Sequence, residues 1–343
     1  MSDSIQSLLD AFPEGVVRLR AGLVLAANEK ARQYLPQLTP GEALPVDLCL
    51  PGPGETEAGG FVSGGVSYTY SCKAGGEEQI LLFRPDAQGV LEPWQLEGAL
   101  RQLRELLGDV LAEAGAAAPN GETSASFNKT FHRLFRLMGN LEFMQQAAEE
   151  GDVPFRPATV DLDSLCGETA RLAGDLLREA GVTLEYTCKA RQVLVPGDAR
   201  LLKKMLLGLI SNAARASEKV SVTLRRQGDR ARIVVSGGGP IPDERRLNAF
   251  LQSRPDGGIP LPGQGAGLGL SIVRYIVRLH GGTMQSSGGD SVPRVAISLP
   301  VGTQGGRVTV HTPPVQRDGG LDPVLVELSD VLPASVFGLE GLE

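Results

Sequence analysis

Between residues 155 and 300 helix signals and strand signals alternate, and the strand signals come in closely spaced pairs. Apolar residues at helical spacing run over 162–180, 198–216 and 268–280, with Asp161 and Asp198 standing where N-caps belong. Among them lie the strand-like runs 182–188 and 192–196, then 220–226 and 231–236, and finally 283–287 and 292–300. A short helix at 243–251 and a Gly/Pro-rich loop at 252–266 interrupt the pattern. Tight hairpins interleaved with amphipathic helices bury their apolar faces as an α/β sandwich, a mixed sheet with helices on one face. The fold class expected for the chain is α+β.

Residues 1–90 read as a smaller α+β piece. A short helix (Ile5, Leu8, Leu9, Phe12) leads to a turn at Pro13–Gly15, then strands at 16–19 and 23–26 and a helix at 29–34. A Pro/Gly-rich loop covers 40–60, and strands return at 61–63, 66–72 and 79–83. Residues 93–114 and 125–148 read as two helices joined by a loop. Leu96, Leu100, Leu103, Leu107 and Val110 line one, and Phe127, Phe131, Leu134, Met138 and Leu141 line the other. An apolar seam with a period near 3.5 asks for a partner. Either a second copy completes a four-helix bundle or the hairpin packs on its own chain. The tail, 301–343, is Gly/Pro-rich and then acidic, with a strand expected at 308–311 and a short helix at 321–333.

With 42% apolar and 21% charged residues the chain can bury a core, and a net charge of −7 supplies no basic face for a nucleic-acid partner. No run of residues suits a membrane span, and the start, MSDSIQSLLDAFPEG, lacks the basic and apolar regions of a secretory signal. Cys49, Cys72, Cys166 and Cys188 form no CxxC pair and lie away from every histidine, so idle thiols in a reducing compartment are expected. The expected location is cytoplasmic.

Three features carry chemistry. In GQGAGLGLSIVRYIVRLHGG, Gly263, Gly265, Gly267 and Gly269 run straight into an apolar helix. Backbone N–H groups of such a string can form an anion nest at the helix's positive end, and polyphosphate suits it. Glycines also make ordinary loops. A dinucleotide-binding turn would need a strand just before the string, and a P-loop a Lys-Ser/Thr pair after it; neither is present. In RLLKKMLLGLISNAARAS, Asn212 stands among small residues where its oxygen could ligate Mg²⁺, and Arg215 three residues on could meet phosphate oxygens. Alone, Asn212 would read as a surface or capping residue. The third feature, IVVSGGGPIP, is a strand that ends in three glycines.

In this order the three features resemble the ATP-binding domain of sensor histidine kinases. The likeness spans about 155–300 and includes His280-Gly281-Gly282 and Leu299-Pro300. The N-terminal piece, with GVVRLRAGLVLAANEKA, looks like a PAS sensor domain, and the paired helices resemble the dimerisation and phosphotransfer hairpin. The organisation this implies is a PAS-like domain at 1–90, a hairpin at 93–150 forming a dimeric four-helix bundle, an ATP-binding domain at 155–300 of the histidine kinase/gyrase/heat-shock-protein-90 type, and a tail at 301–343. By resemblance Asn212 matches the Mg²⁺-ligating Asn of the family's N box, and Arg215 stands where a phosphate-contacting Lys is common. Gly265, Leu268, Gly267, Gly269 and Leu270 match the G2 box, residues 252–266 the ATP lid, and Gly238 and Ile241 the G1 box.

Three departures matter. The adenine-binding Asp of the G1 box is Ser236 here, and its second Gly is Pro240. The N box's earlier Asn is Gly208. The phosphoacceptor His of the first bundle helix is absent: Arg101-Gln102-Leu103-Arg104 stands about where it belongs. His132, on the second helix and followed by Arg133, is a displaced candidate acceptor, though a solvated helix-face histidine is the plainer reading. His280 closes a helix as a cap or dipole partner. The resemblance implies a cytoplasmic, homodimeric histidine kinase homologue in two-component signalling that uses ATP and Mg²⁺. Its partner would be a response regulator or a second kinase. The alternative is a pseudokinase, an ATP-sensing scaffold without autophosphorylation. A Ser/Thr kinase of the anti-sigma type shares the ATP fold, but the hairpin and PAS-like piece argue against it.

Overall fold

Asn28 organises the start of the chain. Its buried side-chain Oδ1 accepts from the N–H groups of Val16 (2.8 Å) and Ala31 (2.8 Å), and its Nδ2 donates to the carbonyls of Leu9 and Glu14. It thereby caps helix α1 (Glu29–Tyr34) and pins it to strand β1 (Gly15–Arg20). The computed structural model describes residues 9–10, 12–46, 48, 50, 56–63, 66–75, 77–85, 93–115, 121–148, 153–190, 193–238, 268–288, 294–302 and 321–338. They fall into two units, one within Met1–Ala87 and Thr283–Ala296, the other within Gln88–Pro240, Ser253–Gly282 and Ile297–Glu343.

In the first unit β2 (Leu23–Ala27), β1, β5 (Glu78–Pro85), β4 (Val66–Gly75) and β3 (Thr56–Ser63) lie side by side in that order, every pair antiparallel. Val17, Leu19, Val24, Ala31, Leu35, Leu81 and Phe83 form its core with Phe61 and Tyr68, whose rings stack at 5.1 Å. Arg18 and Arg20 share Glu78 across the β1–β5 pair. The loop expected at 40–60 ends early, because β3 begins at Thr56. Its glycines serve close approach rather than flexibility: a Cβ on Gly59 would sit 2.5 Å from the carbonyl of Met284 in β11 (Thr283–Gly288), the strand paired with β3. The expected helix at 5–12 lies mostly outside the described residues, with Leu9 and Asp10 helical.

The second unit opens with a hairpin of long helices, α2 (Pro93–Gly115) and α3 (Gly121–Ala148). There follow β6 (Ala158–Asp161), α4 (Leu162–Leu177), β7 (Thr183–Cys188), β8 (Leu194–Gly197), α5 (Ala199–Ala216), β9 (Lys219–Gln227), β10 (Arg230–Gly238), α6 (Leu268–Leu279), β12 (Arg294–Pro300) and α7 (Pro323–Leu328). Asp161 caps α4 by accepting from the Asp163 N–H, and Asp198 caps α5 by accepting from Arg200 and Leu201.

The sheet runs β12-β10-β9-β7. The β9–β10 hairpin turns at Gly228, whose φ is +60°, and pairs Val235 with Val222 and Ile233 with Leu224, all buried. Strand β7 lies parallel to β9, which requires a crossover, and β8 and α5 supply it. Here the expectation of a 182–196 hairpin is corrected. Strand β8 pairs instead with β6, a four-residue strand too short to show an alternation. The face of α5 bearing Leu202, Met205, Leu206, Leu209 and Ile210 is buried, as are Leu162, Leu165 and Leu177 of α4 and Ile272, Val273 and Ile276 of α6. Each such side chain removed from water contributes about 1.5–3 kcal/mol. The tail helix is shorter than expected, α7 being followed by a 3-10 turn at Ala334–Phe337. The helix expected at 243–251, the strand at 308–311 and Cys49 lie outside the described residues. Cys72, Cys166 and Cys188 are free thiols.

Candidate functional site

Helix α5 presents two working faces. On one, Gly208 and Asn212 turn toward α6: a Cβ on Gly208 would lie 3.6 Å from Val273 Cγ2, and one on Gly269 would lie 3.7 Å from the Asn212 Nδ2 and 3.9 Å from its Oδ1. The absence of a side chain at 269 leaves the Asn212 amide open to the first turn of α6. The N–H groups there have no partners within the helix and carry its positive dipole end. Leu268 is buried as the anchor of that turn, Leu270 is half-buried, and Ser271 Oγ accepts from the buried Gln95 Nε2 of α2 at 2.9 Å.

The end of β10 reaches the same end of α5. Ser236 stands opposite Ser221 with hydroxyls 2.7 Å apart. Gly237 is pressed under the last turn of α5, where a Cβ would meet Ser217 Cβ at 3.1 Å and the Ala213 carbonyl at 3.4 Å. Asn212, the Ser236–Gly238 strand end and Leu268–Leu270 are therefore gathered around the C-terminal half of one helix. Ile241, Gly263, Gly265, Gly267 and the rest of 252–266 lie outside the described residues. Among the described residues, no cluster of three His, Cys, Asp or Glu side chains could hold a metal ion.

On its other face α5 presents Lys204, Ser211 and Arg215 to α3 and to the tail. Lys204 Nζ donates to Glu327 Oε1 at 2.6 Å and to Asn140 Oδ1 at 3.2 Å. Arg136, in the hairpin, joins Glu327 (3.2 Å), Asp330 (2.5 Å) and Ser211 Oγ (3.4 Å), and Arg133 donates to Asp330 at 3.0 Å. Arg215, expected to meet phosphate, lies 4.0 Å from the Asp330 carboxylate. Burial acts to raise the pKa of both acids, yet Lys204 and Arg136 hold Glu327 below the usual carboxylate range. Arg136, Arg215 and Arg133 do the same for Asp330.

His132 is not the solvated histidine expected. It is only 6% exposed, its ring lies 4.9 Å from that of Phe337, and its Nδ1 is 2.7 Å from the Asn128 carbonyl. A carbonyl can only accept, so Nδ1 carries the proton, and Nε2 is left buried with no partner among the described residues. His280 does more than close a helix. Its Nε2 accepts from the Asp198 N–H at 3.0 Å, and its Nδ1–H donates to the Ile276 carbonyl at 2.7 Å. That joins the end of α6 to the cap of α5. Burial lowers its pKa against smaller opposing effects of the Ile276 carbonyl and Asp198.

The ionic cluster went unforeseen, although two signals for it stand in the sequence. Asn128, His132, Arg136 and Asn140 recur at i, i+4 beside an aromatic stripe, and Glu327 and Asp330 sit three apart in a segment rich in Val and Leu. The hairpin also answers in two ways. Ala99, Leu106, Leu137, Phe143 and Met144 are buried, with Phe143 edge-on to Tyr275 of α6 at 5.7 Å. Leu96, Leu100, Leu107, Phe127, Phe131, Phe135 and Met138 remain exposed. No helix among the described residues is long and apolar enough to cross a membrane.

Comparison with known proteins places residues 197–317 in a family described as histidine kinase-, DNA gyrase B- and HSP90-like ATPase. The chain is 28% identical over 217 residues to a probable sensor protein, PcoS, of Escherichia coli, covering 56% of this chain and 45% of that one. It is 26% identical over 223 residues to the adaptive-response sensory kinase SasA of Synechococcus sp. (strain CC9311), covering 60% and 57%. The chain thus spans about half the length of the curated relatives it matches. Among solved structures, the histidine kinase AdeS of Acinetobacter baumannii is 20% identical with a TM-score of 0.45, covering 61% of this chain and 98% of that one.

Proposed function

From the premise that residues 197–317 are an ATPase domain of the histidine kinase type, we propose that the chain is a homodimeric sensor histidine kinase homologue. It would bind Mg-ATP against α5 and α6 and act in two-component signalling in the cytoplasm. One observation carries the nucleotide site: the Asn212 amide lies beside Gly269 in the first turn of α6. In this reading Asn212 ligates the magnesium ion, which neutralises phosphate charge when bound. The first-turn N–H groups of α6 hold phosphate oxygens, and the Gly208 position leaves room for a water ligand in place of an Asn. Ser236 and Gly238 border the adenine, with Ile241 beyond them, and Gly265 and Gly267 wrap the phosphates. Residues 1–90 serve as the PAS-like sensor. The exposed apolar faces of α2 and α3 suit a second copy, and the partner is a response regulator or another kinase.

A second reading, an ATP-sensing scaffold without autophosphorylation, is favoured by the burial of His132 Nε2. Two measurements test both. Calorimetry should find Mg-ATP binding that Asn212→Ala weakens at least tenfold with an unchanged melting temperature; equal affinity in the variant rejects the site. Incubation with γ-labelled ATP should leave an acid-labile, base-stable label on His132 if the kinase reading holds. Binding without any label selects the scaffold.

A further inference from the structure

We propose that residues 322–338 form a detachable cap that shields His132 and ties the hairpin to helix α5. Its effect on signalling rests on the reading of His132 as phosphoacceptor; the cap itself does not. The segment has one built seat. Val324, Leu328, Leu332 and Phe337 are buried, and Phe337 covers the imidazole whose Nε2 has no partner among the described residues. The Asn128 side chain holds the same turn by donating to the Phe337 carbonyl at 3.0 Å. Glu327 and Asp330 then enter between two elements that otherwise present like charges to each other. Arg133 and Arg136 come from α3, and Lys204 and Arg215 from α5.

Charge decides what this arrangement does. With the acids in place, each carboxylate bridges α3 and α5. With them gone, four cations converge on a site where Arg136 is nearly buried, and α3 and α5 repel. The cap therefore adds an ionic tie between the hairpin and α5 to the direct Gln95–Ser271, Phe143–Tyr275 and Lys204–Asn140 contacts. A six-residue helix has no stability of its own, so the segment is ordered only while seated. Its departure would free the nucleophilic nitrogen of His132 and loosen α3 from α5 in one step.

The test is diethyl pyrocarbonate modification of the full chain, read by peptide mass spectrometry, with His280 as the internal control. In the unsubstituted protein His132 should react at least tenfold more slowly than N-acetylhistidine. The Glu327→Gln/Asp330→Asn double variant, and separately Phe337→Ala, should speed His132 at least tenfold and leave His280 unchanged. Should the double variant speed both histidines alike, the Phe337→Ala result decides. A His132 that reacts equally fast in the unsubstituted chain and in Phe337→Ala overturns the cap. Labelling with γ-labelled ATP separates the two readings. A shielded His132 that never takes label in any variant removes the acceptor and leaves the cap. A His132 labelled equally with and without the acids, and equally open to the reagent, removes the cap and leaves the acceptor.

Discussion

At the scale of single residues the most informative position is Ser236. In the family that residues 197–317 resemble, an adenine-binding carboxylate stands at this position. Here a half-buried hydroxyl sits 2.7 Å from the hydroxyl of Ser221 on the neighbouring strand. An ionised acceptor contributes about 1.5–3 kcal/mol where a neutral one contributes less. Ser236→Asp should therefore tighten ATP binding by roughly tenfold or more, each tenfold being about 1.4 kcal/mol. It should not tighten GTP binding, because guanine presents a carbonyl where adenine presents its amino group. The Ser221 hydroxyl can donate to the new carboxylate, so the variant should keep its fold. Calorimetry with both nucleotides checks this, and a variant that gains for neither, or for both alike, would show that position 236 does not face the base. Gly237 next to it admits no such change, since any Cβ there meets the last turn of α5.

At the scale of elements the hairpin divides its two faces cleanly. The buried face of α3 carries His132, Arg136, Leu137 and Asn140, and the opposite face leaves Phe127, Phe131, Phe135 and Met138 in the open. Along the stripe the Phe127 and Phe131 rings stack at 6.4 Å, and Phe131 and Phe135 lie 4.9 Å apart with their rings tilted. Seven large apolar side chains exposed along one hairpin exceed what a solitary helix pair leaves to water. Phe131→Glu should convert a dimer into a monomer in sedimentation experiments, weakening association at least a hundredfold. The fold of each chain should shift by no more than about 0.5 kcal/mol, as surface substitutions do. An unsubstituted chain that sediments as a monomer would reject the dimer.

The same helices show what was legible in advance. The apolar seam, the caps Asp161 and Asp198 and the Gly-string helix could be read because each is a local pattern on a long element. Strand β6 and the start of β3 could not. The first has four residues, and the second is spelled with glycines whose meaning depends on β11, more than two hundred residues away. For the site, Asn212 and Leu268–Leu270 were legible as a spacing. The seat of the tail was not, because Glu327 and Asp330 acquire their partners only when α3 and α5 are side by side.

At the scale of the whole molecule, stability should fall with acid in two stages that report different groups. His280 is held neutral, its Nε2 accepting the Asp198 N–H while its ring lies edge-on to Phe155 at 5.1 Å. Protonating that nitrogen would set a donor against a donor in a buried place. Its native pKa is accordingly lowered, burial being the main cause. On acidification the unfolded chain, with an ordinary histidine pKa near 6.5, takes up the proton first. The contribution of neutral His280 is therefore complete above about pH 6.5 and declines as pH falls toward the native value. The slope is at most about 1.4 kcal/mol per pH unit for one proton. The carboxylates Asp198, Glu327 and Asp330 are also lowered in the native state, so their contributions are present above about pH 4 and are lost only below it. Urea melts followed by circular dichroism from pH 7.5 to 3 should resolve the two stages. His280→Gln retains an acceptor for the Asp198 N–H but cannot titrate. It should flatten the curve between pH 6.5 and 5 and leave the decline below pH 4 in place. Equal slopes in the upper range for both proteins would mean that the join between α5 and α6 does not depend on a neutral imidazole.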